Sequence, residues 1–320
     1  MRALLIVNPR ATSTTRLSRD VITRALASAM DLTVVETRYR GHAAALAGTA
    51  AADGAGLVLT LGGDGTVNEA VNGIVAASAA GQDGGAAAGR AAASRPALAP
   101  LPGGSANVFT RAIGLPDDPV EAAGRILSAL AAGRERSVGL GLAGERYFTF
   151  NAGLGMDAEV VRLVEGVRAQ GRPATPTLYM RMALRQYYRV TDRRHPALSL
   201  ERAGKPPAGP LFLCVVSNTA PWTYVGRRAV QTNPEAGFDS GLDVFAMRSL
   251  RTISTARALR QMLSAGDRPP RGRQVVTLHD EAEFTVLAGR PVAFQVDGEY
   301  VGERECVTFR SVPHALRVIT

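Results

Sequence analysis

A single aspartate among glycines is the residue of this sequence whose surroundings most clearly suggest chemistry. The apolar run 57–61 predicts a buried strand, and the segment 62–65 that follows it places Asp64 among three glycines. Glycine lets backbone N–H groups approach an anion closely, and the N-terminus of a following helix adds partial positive charge. A carboxylate beside bound phosphate can bind the metal ion of a nucleotide or accept a proton during phosphoryl transfer. The segment therefore predicts a phosphate site with Asp64 in a catalytic role.

Thr66 and Glu69, just beyond this turn, have the spacing of a capping box. This spacing predicts a helix over 67–77 that begins at Val67. The alternative interpretation is a tight strand-to-helix turn whose glycines are needed only for its geometry. The segment is not a P-loop, because the sequence has no G-K-S or G-K-T and its only lysine is Lys205. Phosphate bound here would be held without a P-loop lysine.

A second glycine turn, 102–107, follows the predicted strand 97–101. Ser105 is a suitable N-cap residue, so we expect this turn also to lead into a helix. A third turn, beginning at Asn8 and Pro9, ends the first predicted strand. Because the carboxyl ends of neighbouring parallel strands face one crevice, where ligands bind, the three turns together favour a nucleotide site.

The rest of the sequence supplies the elements that would position these turns. In residues 1–136 strand and helix patterns alternate, which predicts an α/β N-terminal domain with a parallel sheet. From 137 to 303 short strands separated by turn residues predict a β-rich, antiparallel, sandwich-like C-terminal domain. The predicted strands are 2–8, 32–37, 56–61, 97–101, 146–151, 197–202, 211–217, 241–248, 274–279, 282–287, 292–297, 304–310 and 315–319. The predicted helices are 16–30, 42–52, 67–77, 106–113, 118–132, 178–190 and 252–264.

Composition and charge restrict the function further. The chain of 320 residues is long enough for two domains, and no apolar segment reaches the length of about 18 residues that a membrane span needs. The N-terminal segment predicts a strand rather than a signal peptide, and the two cysteines have no partner spacing, so we expect a cytoplasmic protein with reduced thiols. The net charge of +9 comes almost wholly from arginine, which prefers the phosphate groups of nucleotides or lipids. Nucleic acid is not an expected partner, because aromatic-interleaved basic motifs are absent from the sequence.

The three turns belong to a larger set of motifs that extends over nearly the whole chain. The motifs are Asn8-Pro9, Gly62–Glu69, Pro102–Arg111, Asn151–Ala158, Phe238–Val244 and Val296–Glu299. In this order and spacing they resemble the catalytic domain of the diacylglycerol kinase and sphingosine kinase family, particularly its soluble bacterial lipid kinases. The GGDGT element alone also occurs in NAD kinases, and it becomes specific when joined to the P-G-G-S-x-N element.

The resemblance implies a nucleotide-binding N-terminal domain, completed by about 304–320, and a lipid-binding C-terminal domain. It implies ATP and Mg²⁺, with an ATP site formed by Asn8, Pro9, Thr37, Gly62, Gly63, Asp64, Gly65, Thr66, Asn68, Glu69, Gly104, Ser105 and Asn107. The proton acceptor for the lipid hydroxyl would be Asp297 or Glu299. In sphingosine-type members that role belongs instead to the aspartate that matches Asp64. Asp157 would help to shape the site of the lipid head group.

Asp297 and Gly298 also form the Asp-Gly pair that is typical of a two-residue hairpin turn. The two interpretations are compatible, since a rigid hairpin is a good platform for a carboxylate. A base within reach of the acceptor hydroxyl helps, but positioning and charge neutralisation by Mg²⁺ should supply most of the rate enhancement.

Three positions depart from the family pattern. Val108 stands where many relatives have aspartate, and the first turn has Ala11-Thr12 in place of its usual glycine. Ser240 replaces the second aspartate of a motif that holds a structural magnesium, which leaves Asp239 and Asp243 as the remaining candidate metal ligands. None of the three departures removes a proposed proton acceptor.

An arginine-rich segment at 178–190 allows two interpretations. Its arginines are four residues apart, on one face of the predicted helix, and are Arg181, Arg185 and Arg189. The interpretation that the sequence slightly favours is a solvated face with Met180, Leu184 and Tyr187 in the core. The alternative is peripheral contact with an anionic membrane, at its inner face, where each cation near the surface adds on the order of 1 kcal/mol.

The sequence therefore predicts an ATP- and Mg²⁺-dependent lipid kinase. It would transfer the γ-phosphoryl group to a hydroxyl of diacylglycerol or a sphingoid-type lipid that a membrane presents. One alternative is an NAD kinase, against which the turn 102–107 and the motif 296–299 argue. The other is a catalytically inactive lipid- or nucleotide-binding protein, against which the retention of Asp64, Asp297 and Glu299 argues. The sequence does not select among lipids or define an oligomeric state.

Overall fold

The chain divides into two compact units. The computed structural model describes residues 1–11, 14–79, 95–169, 176–226, 228–264 and 268–320. One unit consists of Met1–Gly139 with Pro313–Thr320, and the other consists of Leu140–Val312. The first contains a parallel sheet with helices and the second is rich in antiparallel strands, so the predicted fold class is confirmed. The assignment of nucleotide binding to residues 1–136 and of lipid binding to 137–303 stays a prediction.

The first unit alternates strands and helices along the sequence. Its strands are β1 (Arg2–Val7), β2 (Asp31–Glu36), β3 (Leu57–Gly62) and β4 (Ala97–Pro102). Its helices are α1 (Arg16–Ala27), α2 (His42–Ala52), α3 (Asp64–Ala79), α4 (Val108–Ala112) and α5 (Pro119–Ala131). The strands lie in the order β2-β1-β3-β4, all parallel, and Val318 near the C-terminus pairs in parallel with Leu98 of β4. The turns that follow β1, β3 and β4 therefore leave the sheet at the same edge.

Local sequence explains where these elements begin and how closely they pack. Helix α5 begins after Asp118, whose Oδ1 accepts hydrogen bonds from two N–H groups of the first turn, and Pro119 occupies the first helical position. All residues of β3 and β4 are buried, as expected for central strands of a covered parallel sheet. Helices α2 and α3 approach so closely that a Cβ atom on Gly73 would lie 2.1 Å from the carbonyl oxygen of Ala44.

The second unit is built mainly from antiparallel strands. Its strands are β5 (Glu135–Ala143) and β16 (Glu299–Ile319), which both continue into the first unit, and β6 (Arg146–Phe148), β7 (Asn151–Gly155), β8 (Leu198–Arg202), β9 (Lys205–Leu211), β10 (Leu213–Ser217), β11 (Thr223–Val225), β12 (Arg228–Val230), β13 (Leu242–Met247), β14 (Val275–Glu281) and β15 (Glu283–Val296). Hydrogen bonds connect them in the order β14-β13-β10-β7-β15-β16, with β8 on β15 and β9 on β8. Strands β11 and β12 form a separate pair.

The helices of the second unit are α6 (Met156–Ala169), α7 (Pro176–Arg185) and α8 (Thr252–Met262), and a π-helical segment, Gln186–Val190, directly follows α7. The core of the sheet centres on Phe309, whose ring lies 5.3 Å from that of Phe284 and 6.3 Å from that of Phe148, centroid to centroid. Apolar side chains of β7, β10 and β13 complete this core.

The structure joins strands that the sequence predicted as separate. The predicted strands 282–287 and 292–297 form the single strand β15, and 304–310 with 315–319 form β16. Proline explains the error, because Pro291 reads as a break in a strand pattern. In the structure, Pro291 lies between Leu287 and Val292, where the pairing of β15 with β16 changes register, so no ladder hydrogen bond is lost there.

The predicted start of the helix after β3 is also wrong. Helix α3 begins at Asp64 rather than Val67, because the carbonyl of Gly63 accepts hydrogen bonds from the N–H groups of Thr66 and Val67 at 2.9 and 3.2 Å. Thr66 lies within the first turn and cannot be the N-cap of a capping box. The aspartate of the glycine turn is therefore part of the helix.

Other elements carried too weak a pattern to be predicted. Helix α6 is rich in valine, which favours strands, and strand β9 contains prolines that read as a turn. Between Ser78 and Pro96 the sequence has a glycine- and alanine-rich tract that predicts a surface-loop insertion. Residues 80–94 of this tract and the departure at Thr12 lie outside the described residues. In the described part of the chain, none of the helices has the length and apolar character needed to cross a bilayer.

Candidate functional site

The turns after β3 and β4 contact each other through backbone atoms. The N–H of Gly103 donates to the carbonyl of Gly62 at 2.8 Å. A Cβ atom added to Gly104 would lie 2.7 Å from Cα of Gly63, closer than real Cβ contacts occur. Glycine is therefore required for the approach of the two turns, independently of any ligand.

Asp64 links the same two turns through its side chain. It is the first residue of α3, and its Oδ1 accepts a hydrogen bond from the N–H of Phe109 at 3.2 Å. Phe109 lies in the first turn of α4, where N–H groups have no partner within the helix, so a carboxylate is favourable there. The carboxylate is thereby held in position at a partly exposed residue.

Asn8 brings the turn after β1 into this network. Its Nδ2 donates to Oγ1 of Thr66 at 3.1 Å, and its Oδ1 accepts from the N–H of Arg10 at 2.9 Å. Thr66 in turn packs against Gly62, where an added Cβ would lie 2.6 Å from the threonine Oγ1. The side chains of Asn8 and Thr66 thus join the first turn to the second.

Asn107 fixes the shape of the turn after β4. Its backbone has the left-handed φ of 48°, and its Oδ1 accepts from the N–H of Gly104 at 2.9 Å. Its Nδ2 donates to the carbonyl of Gly104 at 2.9 Å and to Oδ1 of Asp117 at 2.8 Å. Helix α4 begins at Val108, so the prediction that Ser105 is an N-cap is wrong. Asp117, which no sequence motif indicated, holds the asparagine from outside the motif.

Glu69 was predicted to lie at the ATP site and to form a capping box with Thr66. Its carboxylate does not form that capping box, because it bonds to another helix. Its Oε1 accepts from the N–H of Gly41 at 2.7 Å and its Oε2 from that of Ala43 at 3.1 Å, at the N-terminus of α2. It therefore anchors α2 to α3. Asn68 is buried, and its carbonyl oxygen accepts from Nδ2 of Asn72 at 2.9 Å.

The remaining predicted nucleotide residues lie around these turns. The N–H of Thr37 donates to the carbonyl of Val7 at 2.8 Å, which brings the end of β2 beside the end of β1. Gly65 lies in the first turn of α3, partly exposed, while Pro9 and Ser105 are exposed in their turns. The first unit thus gathers the predicted nucleotide residues at the carboxyl edge of its sheet, with Glu69 and Asn68 in supporting positions.

The second unit holds the other candidate carboxylates, beginning with Asp297 and Gly298 in the turn between β15 and β16. Both have positive φ, 48° and 75°, which confirms the predicted two-residue hairpin. The carboxylate of Asp297 is buried and accepts four hydrogen bonds, at 2.8 to 3.1 Å. The donors are the N–H and Oγ1 of Thr149 and the N–H groups of Phe150 and Asn151. Burial raises the pKa of Asp297, and these hydrogen bonds oppose that rise.

Glu299 follows the turn at the start of β16 and has a different environment. Its Oε2 accepts from Nη2 of Arg146 at 2.8 Å, and its side chain is partly exposed. The neighbouring residue, Tyr300, is held through its N–H by Oε1 of Glu165 in α6 at 3.2 Å. The hairpin therefore presents one buried and one accessible carboxylate.

Asp157 lies at the start of α6 beside the same hairpin. Its Oδ2 accepts from Nε2 of Gln295 at 2.8 Å, and the same amide nitrogen donates to Oδ1 of Asn151 at 3.0 Å. Oε1 of Gln295 accepts from the N–H of Gly298 at 2.9 Å, so the glutamine connects Asp157 to the turn. Desolvation raises the pKa of Asp157 from 3.8 to about 6, against the lowering effect of the glutamine. Gly153 allows this arrangement, because a Cβ there would lie 2.1 Å from Oδ2 of Asp157.

The candidate metal ligands do not form a complete coordination site. Oδ1 of Asp243 accepts from the N–H of Asp280 at 3.0 Å and lies 2.8 Å from Nδ1 of His279. Asp239 is exposed, and Ser240 donates to the carbonyl of Gly237. In the part of the chain that the structure describes, no three His, Cys, Asp or Glu side chains are grouped to hold a metal ion. These residues do not fit a magnesium site without further ligands, and the metal assignment stays a prediction.

Several residues of these networks were not predicted from the sequence. Thr149, Gln295 and Asp117 contact motif residues from positions outside the motifs, and Thr149 is 148 residues from Asp297. For Thr149 and Gln295 the sequence offered only one signal, a polar residue within a predicted strand. A polar side chain that is buried there needs a hydrogen-bond partner.

Comparison with known proteins gives this arrangement a family context. Residues 2–142 match the model of the diacylglycerol kinase catalytic domain. Over 142 residues, 44% of this chain, the sequence is 34% identical to a Chromohalobacter salexigens protein named "Probable lipid kinase YegS-like". Over 105 residues, 32% of this chain, it is 32% identical to a protein named diacylglycerol kinase in Bacillus subtilis. The matches span 40% and 28% of the lengths of these two relatives, less than half of each.

Solved structures extend the likeness in fold to almost the whole chain. A structure from Bacillus anthracis, described as a "putative diacylglycerol kinase", superposes with a TM-score of 0.72 over 99% of this chain and 96% of that chain, at 21% identity. A diacylglycerol kinase structure from the same organism gives a TM-score of 0.66 over the same shares, at 18% identity. The family resemblance inferred from the motifs is confirmed by the domain match and the relatives, and the fold by these structures.

Proposed function

We propose that this chain, whose residues 2–142 match the diacylglycerol kinase catalytic domain, is an ATP- and Mg²⁺-dependent lipid kinase. It transfers the γ-phosphoryl group to a hydroxyl of diacylglycerol or of a sphingoid-type lipid that a membrane presents. The observation that carries the proposal is the joining of three strand-end turns by the side chains of Asp64 and Asn8. A connected, glycine-lined edge of a parallel sheet is suited to phosphate groups, and the carboxylate within it is suited to their metal ion.

The first unit supplies the nucleotide site in this proposal. Backbone N–H groups of the segment 63–65 approach the phosphates, which glycine permits. Those of Gly103 and Gly104 already donate to Gly62 and Asn107, so the second turn supports the first. Asp64 would be a ligand of the nucleotide's Mg²⁺, which supplies charge neutralisation on the transferred phosphoryl group. Asn8, Thr66 and Asn107 keep the turns in place, and Glu69 supports them through α2. The role of these residues is thus mainly to position the phosphates.

The second unit supplies the carboxylates that serve the lipid. Four hydrogen bonds that the Asp297 carboxylate accepts come from the segment 149–151, and a carboxylate has about four acceptor positions. We assign Asp297 the role of holding the hairpin, and Glu299 the role of orienting the acceptor hydroxyl and accepting its proton. Asp157, whose raised pKa of about 6 still leaves it mostly ionised near neutral pH, accepts a hydrogen bond from the lipid head group.

The test is transfer of γ-³²P from ATP to lipids in mixed micelles. Wild type is compared with Asp64→Asn, Asp297→Asn and Glu299→Gln. The matched control is Glu303→Gln, since Glu303 is an exposed glutamate of the same strand that pairs with Arg162. We expect labelled lipid with wild type and the control, and a loss of at least about 100-fold in kcat with Asp64→Asn and Glu299→Gln, the range of a lost catalytic group.

Thermal unfolding of each variant separates catalysis from folding. Asp297→Asn places an amide NH₂ against N–H donors in a buried site, so it should lower Tm as well as activity. Full activity of Glu299→Gln would refute its assigned role. Labelled NADP from NAD would establish the NAD kinase alternative instead, and ATP or lipid binding without any transfer would establish the inactive one.

A further inference from the structure

Helix α7 and the π-helical segment present an exposed face of arginines and large apolar side chains. The buried side is formed by Met182, Gln186 and Tyr187. The exposed side has the helical spacing 181, 184, 185, 188 and 189, with arginine at three of these positions. Leu184 is 51% exposed and Tyr188 58% exposed. The prediction that Leu184 lies in the core, on which the solvated-face interpretation depended, is wrong.

A second segment, distant in sequence, lies beside this face. Oη of Tyr187 donates to the carbonyl of Leu250 at 2.7 Å, which fixes the start of α8 next to the π-helical segment. Arg251 and Ile253 follow, and Ile253 is 85% exposed. Arg193 packs on the π-helical segment, with its guanidinium 4.8 Å from the ring centroid of Tyr187. Arg193 and Arg251 line both of two adjacent surface grooves, of about 580 and 380 Å³.

We call this surface the arginine face and define it by Arg181, Leu184, Arg185, Tyr188, Arg189, Val190, Arg193, Arg194, Arg251 and Ile253. Its charge is largely uncompensated. Within the residues that the structure describes, no salt bridge involves Arg181, Arg185, Arg189, Arg194 or Arg251. The one acid nearby in sequence, Asp192, is engaged with His195 at 2.7 Å and with the N–H of Arg194 at 2.8 Å.

We propose that the arginine face docks the second unit on an anionic lipid bilayer. The proposal rests on the proposed function, since it names the surface that delivers the kinase to its lipid. Positive charge around protruding apolar side chains matches the head-group region, where cations meet anionic phosphates and a side chain such as Ile253 enters the acyl boundary. An aqueous polyanion would match the charge but would leave Leu184, Tyr188 and Ile253 in water.

Sedimentation with vesicles tests the proposal without ATP or turnover. Wild type is mixed with vesicles of phosphatidylcholine alone and of phosphatidylcholine with an equal part of phosphatidylglycerol. We expect binding to the anionic vesicles only, and a strong loss when NaCl rises from about 0.1 M to about 1 M, because the Debye length falls from about 10 Å to about 3 Å. The triple variant R181Q/R185Q/R189Q should bind roughly 100-fold more weakly, since each arginine contributes about fivefold.

A matched control keeps the net charge equal. Arg24, Arg125 and Arg134 are exposed arginines of the first unit, so R24Q/R125Q/R134Q loses the same charge away from the arginine face. Ile253→Ser should weaken binding roughly 10-fold, whereas Leu17→Ser, at an exposed apolar side chain of α1, should not. An equal loss of vesicle binding in both triple variants would show that only the net charge matters, which would overturn the proposal. Equal binding of wild type to neutral and anionic vesicles would overturn it as well.

Activity measurements separate this proposal from the proposed function. In neutral detergent micelles, R181Q/R185Q/R189Q should keep the kcat of wild type, whereas on anionic vesicles its rate at low lipid should fall in step with binding. A wild type that binds anionic vesicles but phosphorylates no lipid would refute the kinase and retain the docking surface. A kinase whose vesicle activity and binding are unchanged in the triple variant would refute the docking surface alone.

Discussion

Asp297 and Glu299 show how two carboxylates on one hairpin acquire different chemistry. Two residues apart, they lie on either side of the Gly298 backbone, and only one is buried. The carboxylate of Asp297 is buried and accepts hydrogen bonds from four donors in 149–151. The carboxylate of Glu299 is partly exposed and accepts a hydrogen bond from Arg146. A fully bonded carboxylate stabilises its surroundings, and an accessible one can meet a substrate. The environment, not the residue type, therefore distinguishes the two carboxylates.

Asp157 leads to a prediction about pH. Its folded-state pKa of about 6 lies above the ordinary value of 3.8, so the native state favours the protonated acid. Its contribution to stability is fully present below about pH 4 and is lost as the pH rises through about 6. Asp157→Asn cannot ionise and keeps an oxygen for Gln295, so it should unfold at a higher temperature than wild type above pH 6 and at a similar one near pH 4. The expected gain at high pH is about 3 kcal/mol.

Thermal unfolding of both proteins across this pH range measures the difference. Asp192→Asn serves as the control. The N–H of Arg194 and the ring of His195 lower the pKa of that exposed carboxyl, so its ionised form stabilises the native state above about pH 4. Asp192→Asn should therefore lower Tm in this range rather than raise it. A Tm difference for Asp157→Asn that does not change with pH would contradict the raised pKa.

At the scale of elements, the contact between the turns after β3 and β4 leads to a second prediction. In Gly104→Ala the new Cβ would meet Cα of Gly63 at 2.7 Å, so the two turns must separate. We expect ATP to bind at least about 10-fold more weakly, because a shift of even 1 Å at a positioned phosphate is costly. Gly124→Ala is the control, since Gly124 lies in α5 with nothing within 4 Å of an added Cβ.

Calorimetric titration with a non-hydrolysable ATP analogue compares the two variants. Gly124→Ala should bind as wild type does and gain up to about 1 kcal/mol in stability, the ordinary helix-propensity difference. Unchanged affinity in Gly104→Ala would show that the turns can separate without affecting the nucleotide, and the positioning role would then fail.

The elements of the first unit were predictable because each carries its own local signal. Buried apolar runs mark β3 and β4, and Asp118 with Pro119 marks the start of α5. The start of α3 was not, because Thr66 and Glu69 satisfy the capping-box spacing while their side chains bond to Asn8 and to α2. A spacing rule cannot show that a side chain forms its hydrogen bond with a residue distant in sequence.

At the scale of the whole molecule, sequence separation limits what could be predicted. The motifs located the candidate carboxylates, but Thr149 reaches Asp297 across 148 positions and Gln295 reaches Asp157 across 138. The exposed arginines and the buried Tyr187 of the arginine segment were predicted, but the exposure of Leu184 was not. It depends on which side of the helix packs on distant residues, as Tyr187 does on Leu250. Long-range contacts of this kind depend on the assembled fold, so a periodic pattern constrains but does not determine them.

The discontinuous first unit leads to the last prediction. Residues 313–320 belong to this unit although they end the chain, and Val318, fully buried, pairs with Leu98 of β4. Nη1 of Arg317 lies 3.1 Å from Oε2 of Glu135, and the carbonyl of Ala315 accepts from Arg95 at 2.9 Å. The strand therefore completes the sheet that carries Asp64 and the glycine turns.

Val318→Asp should consequently destabilise the first unit by at least about 3 kcal/mol, since it buries an unpaired charge in the sheet. Val34→Asp is the matched control, because Val34 lies on β2 of the same sheet but is 42% exposed, and it should cost less than about 1 kcal/mol. Limited proteolysis with mass spectrometry reports where each variant opens. We expect new cleavage within 1–139 for Val318→Asp, suppressed by ATP, and none for Val34→Asp. Equal protection of the two variants would mean that the first unit holds its fold without the C-terminal strand, and that the turns proposed to bind the nucleotide are supported by β1 to β4 alone.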